Sequence, residues 1–134
     1  MAGTSYLFDK GKAGLLDGSI DLSADTIRVM LCDSSFAETL TDTSMTTPGA
    51  DRIGADVTLS GKTENVVADG VFDDTGAPNW SSVAGGSTIG GLILFKYVTN
   101  DAGSTPIAFI HVADQATNGG DIDVTWNASG IFSL

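Results

Sequence analysis

The one histidine in the chain, His111, stands inside an apolar run between Ile110 and Val112. An imidazole can exchange a proton near neutral pH, and beside a serine and an aspartate it could drive acyl transfer. Serine and aspartate are plentiful, but no Gly-x-Ser-x-Gly elbow singles out a nucleophile. His111 therefore reads as a strand residue with a hydrogen-bonded tip. Asp121 and Asp123 lie two apart, so on a strand they share a face, where paired carboxylates could hold Ca²⁺ or flank a glycosidic bond. Charges at that spacing also guard solvated strand edges, and no further oxygen ligands follow at loop spacing. Asp73-Asp74-Thr75-Gly76 lacks the ligand series and closing Glu of an EF-hand, and reads as a turn.

Cys32 is the sole cysteine, which rules out an internal disulfide and a cysteine-rich metal site. Its setting, Arg28-Val29-Met30-Leu31-Cys32, is that of a buried strand, and the thiol reads as a small core hydrophobe. The Gly-Gly pairs at 85–86, 90–91 and 119–120 form no G-x-G-x-x-G fingerprint, so no phosphate loop is expected. Trp80, Trp126, Tyr6 and Tyr97 could form a sugar-stacking platform, yet Tyr97 and Trp126 fall in strong strands where aromatics fill core space. The reading assigns no catalytic residue, no metal site and no cofactor.

The elements that would have to position any such group are those of a single domain covering residues 1–134. Seventeen acids against six bases give a net charge of -11, and Lys10, Lys12, Arg28, Arg52, Lys62 and Lys96 form no stripe. Nucleic acid is excluded as an expected partner, since its non-specific binding needs clustered bases to neutralise phosphates. An anionic membrane surface would repel the same field, and no apolar run approaches the ~18 residues of a spanning helix. The opening Met1-Ala2-Gly3-Thr4-Ser5 carries neither a basic nor an apolar segment, so no secretory signal is expected.

Tyr6–Leu16 has the spacing of a short helix interrupted by Gly11 and Gly14, each costing about 1 kcal/mol; residues 1–20 read as an arm or a short helix. Thr26–Asp33 alternates as a strand, with Ile27, Val29 and Leu31 on one side and Arg28, Met30 and Cys32 on the other. Residues 34–54 are rich in Ser, Thr, Asp and Gly and predict a long loop, of the kind that often belongs to a binding surface. Further strands are predicted at 55–59, at 66–72 with a bulge or turn at Asp69-Gly70, and as a short extended piece from Pro78. Leu92–Val98 is apolar on both faces and returns through turn residues 100–104 into Ile107–Val112 as an antiparallel hairpin. Asp121–Trp126 alternates cleanly as a half-buried strand. Seven to nine short strands predict an all-β, antiparallel sandwich or barrel-like domain with a short N-terminal helix.

The order of motifs resembles small virion proteins of tailed bacteriophages. The resemblance is carried by Asp9-Lys10-Gly11-Lys12 with Gly14-Leu15-Leu16-Asp17-Gly18, by Asp25-Thr26-Ile27-Arg28-Val29 with Leu31-Cys32-Asp33, and by Leu59-Ser60-Gly61-Lys62-Thr63. It continues in Leu92-Ile93-Leu94-Phe95-Lys96 and in Asn118-Gly119-Gly120-Asp121-Ile122-Asp123-Val124-Thr125-Trp126, so it spans almost the whole chain, with 34–54 matching least. What it implies is a non-enzymatic structural protein of the virion. The favoured role is a capsid decoration (cement) protein on the outer surface of the head, bound to the major capsid protein as a homotrimer, or as a dimer at two-fold sites. A neck or tail component is the alternative, followed by a carbohydrate-binding fibre-type domain. Residues 1–20 and 34–54 are the expected contact regions.

Overall fold

Leu92–Phe95 offers no polar side chain to water, so a sheet containing it must be covered on both faces. The computed structural model, which describes residues 4–65 and 70–133, meets that requirement. In chain order the elements are β1 (Ser5–Leu7), α1 (Asp9–Asp17), β2 (Ile27–Asp33), β3 (Arg52–Thr58), β4 (Lys62–Asn65), β5 (Val71–Asp74), β6 (Asn79–Trp80), β7 (Thr88–Val98), β8 (Asn100–Ala116), β9 (Ile122–Asp123) and β10 (Phe132–Ser133). The main sheet has the order β1-β8-β7-β2-β3, and two small sheets, β10-β5-β4 and β6-β9, complete the frame. All the pairings are antiparallel. The chain is an all-β, sandwich-like protein with one helix among its described residues.

Strand alternation splits the main sheet into two apolar faces. Ile27, Val29 and Leu31 of β2, with Leu92 and Leu94 of β7 and Ala108 and Ile110 of β8, face the small sheets and pack with Phe72, Trp80, Ile122 and Phe132. Met30, Cys32, Ile93, Phe95 and Phe109 point the other way. Among the described residues no second sheet covers them. Phe8 and the segment after β2 do so, chiefly through Phe36 and Met45, with Leu40 packed beside them. Burying an apolar side chain of this size contributes roughly 1.5–3 kcal/mol, so the covering segment is held as a strap rather than left in solvent.

Segment 34–54 is thus a loop only in part. Pro48–Asp51 forms a 3-10 turn, and β3 starts at Arg52, earlier than the alternation at 55–59 suggested. Arg52 joins the strand because it is registered opposite Cys32 on β2. The expected strand at 66–72 lies outside the described residues from 66 to 69. Its described end, Val71–Phe72, belongs to β5, which pairs with β4 in a hairpin. The Asp121–Trp126 alternation holds in burial, but ladder pairing is confined to Ile122 and Asp123, opposite Trp80 and Asn79. The turn residues Asn100–Ser104 are absorbed into β8, and the reversal occurs at Thr99, whose φ is 61°.

The N-terminal segment is not one helix from Tyr6. Tyr6 pairs opposite Phe109 on the edge of the main sheet, Phe8 stays extended, and the helix begins at Asp9. The glycines that looked like helix breakers permit its docking. A Cβ on Gly11 would lie 2.7 Å from both Cα and O of Ile107, which is backbone and cannot swing aside. Helix propensity alone would make Gly11→Ala stabilising by about 1 kcal/mol. The contact reverses the sign: the variant should lose about 1–3 kcal/mol in urea denaturation. A stabilised Gly11→Ala would show that α1 is not seated on β8.

Candidate functional site

Each residue singled out for chemistry is already engaged in structure. His111 Nδ1 lies 3.0 Å from Glu38 Oε1 on the strap, and both side chains are about half exposed. Glu38 adopts a left-handed backbone with φ 54°, and no serine joins the pair as a nucleophile among the described hydrogen bonds. Asp121 accepts a hydrogen bond from the Ser82 backbone N–H at 2.8 Å, and Asp123 accepts one from the Asn79 side chain. The two carboxylates share a face, as their spacing predicts, but each tethers β9 to β6 or to the loop after it. No group of three or more acidic, histidine or cysteine side chains suited to a metal ion occurs among the described residues.

Asp74 is buried and accepts from the Gly61 backbone N–H at 2.8 Å and from the Trp126 indole at 3.4 Å, so Asp73–Gly76 closes the β4–β5 hairpin end. Cys32 is fully buried. Burial, with the charges of Asp51, Asp33 and Glu38 nearby, pushes its thiol up to about 12, so it stays protonated and inert. The four aromatics form no platform. Trp80 is 4% exposed and donates its indole N–H to Ala55 O at 2.6 Å. Tyr97 stacks under the Arg28 guanidinium at 3.5 Å, and only Tyr6 is largely exposed.

No protein-family model, no curated protein and no solved structure matches the chain. The surface bears on the functional reading.

Its charge is more one-sided than the count of bases suggests. Lys12 pairs with Asp9 at 3.2 Å, Lys96 with Asp25 at 3.0 Å, Lys62 donates to the Asp25 carbonyl, and Arg28 lies on Tyr97. Arg52 is clamped bidentately by Asp101 at 2.9 Å and by Asp56 at 2.8 Å. Of the six bases only Lys10 has neither an ion pair, a hydrogen bond nor a ring contact among the described residues. The solvent-facing field is therefore strongly anionic.

Sequence reasoning missed the Arg52 clamp, because its partner lies 49 residues away at the start of β8, in sequence that read as a turn. It fastens the end of the strap to the β7–β8 reversal, where Met45 N–H also donates to Asp101 O and Ser104 O, both at 3.1 Å. Hydrogen bonding from Arg52 holds the Asp101 carboxyl below its usual range, against an opposing effect of burial. A depressed carboxylate stabilises the fold above its unfolded pKa and loses that contribution as pH falls through the folded value. The window is acidic, below about pH 4. Asp101→Asn should lower stability at neutral pH by about 1 kcal/mol, a modest figure because the pair is partly solvated. The difference from wild type should shrink towards pH 2, and a constant difference across the pH range would contradict the clamp.

The second feature missed was the edge of β1, hidden because the spacing of Tyr6–Leu16 read as one helix. β1 ends the main sheet. His111 N–H donates to Thr4 O and Phe8 N–H to Ile107 O, both at 2.9 Å, so the even-numbered residues of β1 face β8. The N–H and C=O groups of Ser5 and Leu7 therefore point outward, and no partner for them occurs among the described residues' hydrogen bonds. They border a slot of about 560 Å³ between β1 and β10, walled by Tyr6 and Leu40 on one side of the sheet and Leu7 and Phe132 on the other. The signal lay in the bulky run Tyr6-Leu7-Phe8 immediately before Asp9, an acid suited to a first helical turn.

Proposed function

We propose that the chain is a non-enzymatic structural subunit of a tailed-phage particle, a decoration protein that binds the major capsid protein on the outside of the head and stabilises the assembled shell. What supports this reading is the resemblance of the motifs to those of small virion proteins, taken with where those motifs fall in the fold. Gly11 and Gly14 seat α1, Gly18 caps it with φ 81°, Leu92–Phe95 forms the centre of β7, and Gly61 and Asn118–Gly120 shape turns around β4 and β9. They are framework positions, so the likeness is one of scaffold rather than of a reacting site.

The anionic surface supports the same reading, since it suits the outside of a shell better than contact with packaged DNA. The framework has hydrogen-bonded sheets and a strapped second face, and a cement protein acts by binding the assembled lattice better than free subunits. A trimer fits positions of three-fold symmetry on such a lattice. Counting copies in purified particles tests the role. Hundreds of copies per particle fit decoration, whereas about a dozen would assign the chain to a neck or tail ring.

A further inference from the structure

We infer that the outer edge of β1 is a docking site for an extended, basic segment of a partner protein, which adds to the main sheet as a sixth strand. The inference rests on the structural-subunit reading and deepens it by naming the kind of contact. Ser5 and Leu7 present outward N–H and C=O groups in the plane of the sheet, and a chain in β conformation satisfies all of them at once. Alternate residues of that strand would meet an apolar wall on either face, Tyr6 with Leu40 on one and Leu7 with Phe132 on the other. β1 spans only Ser5–Leu7, so these walls, not the ladder alone, must supply part of the affinity.

Charge selects the occupant. The chain carries -11, with five of its six bases engaged internally, so a second copy would bring like charge to the contact, whereas Lys or Arg on an incoming strand meets an attractive field. Lys12, which lines the slot, is already paired with Asp9.

The test is an NMR titration of the full ¹⁵N-labelled chain at low salt with a capped peptide alternating valine and lysine. The expected result is shifts at Ser5–Leu7, Leu40 and Phe132, with slowed exchange of the Ser5 and Leu7 amides. Replacing the lysines by glutamate, or N-methylating alternate valines, should weaken binding roughly tenfold or more. Ser5→Pro removes an outward N–H without touching the bonds to β8 and should abolish binding with the circular dichroism unchanged, whereas Ser5→Ala, which removes only the hydroxyl bond to Ile131 O, should bind as the wild type does. Tyr6→Lys, at a side chain 46% exposed, adds a like charge to the wall and should weaken binding independently. Absent binding at millimolar peptide, shifts elsewhere, indifference to N-methylation or to both Ser5→Pro and Tyr6→Lys, or a dimer joined through β1 would each overturn the inference. Shell binding without peptide binding would remove the edge and leave the structural role, and peptide binding without shell binding would do the reverse.

Discussion

Phe109→Ala is expected to lower the unfolding free energy by about 3–5 kcal/mol, the usual cost of deleting a large buried aromatic. Phe109 is 3% exposed, its ring centroid lies 5.6 Å from that of Phe36, and it occupies the space that a side chain on Gly91 would need. The ring therefore joins three parts: β8, the glycine opening in β7, and the strap. Truncation leaves a void under the strap that Phe36 and Met45 cannot fill from one side. Urea denaturation gives the size of the loss. Hydrogen exchange locates it, because the Met45 amide, bonded to Asp101 O and Ser104 O, should lose protection before the amides of β2 and β7 do. A loss below about 1 kcal/mol, or unchanged Met45 protection, would show that the strap does not depend on this layer.

Trp80→Ala should cost a similar amount, about 3–5 kcal/mol. Trp80 packs among Phe72, Ile122 and Phe132 of the small sheets, and its indole N–H fixes β6 to the Ala55 carbonyl of β3. Trp80→Phe retains apolar volume but leaves that carbonyl unbonded, so it should lose about 1 kcal/mol. Differential scanning calorimetry separates the two. The pair of variants also bears on the carbohydrate alternative, for which Trp80 was one of the four candidate stacking residues. A stable Trp80→Ala protein that had lost glycan binding would reverse the assignment of this ring to the core.

Much of the fold was legible because the sheet's demands are periodic. Ile27–Cys32 and Leu92–Phe95 announce a strand buried on both faces, and Asp121–Trp126 shows its alternation without reference to any neighbour. Three-dimensional coincidence was not legible. Gly11 reads as a helix breaker until Ile107 backbone is seen against it, and Arg52 sits in polar, aperiodic sequence until Asp101 closes on it. The 34–54 segment read as loop because its anchors, Phe36 and Met45, are too far apart to make a period, though with Phe8 they pack on the second face of the main sheet. The candidate site was least legible of all, since the outward groups of Ser5 and Leu7 are backbone, and every residue but proline carries the same ones.

The central claim is that the chain binds an assembled shell. Purified protein should be mixed with capsid shells lacking it, followed by co-sedimentation and cryo-electron microscopy. Density repeated across the outer lattice at symmetry-related positions is the expected result. Density confined to a single vertex, or protein left wholly in the supernatant, would contradict the decoration role.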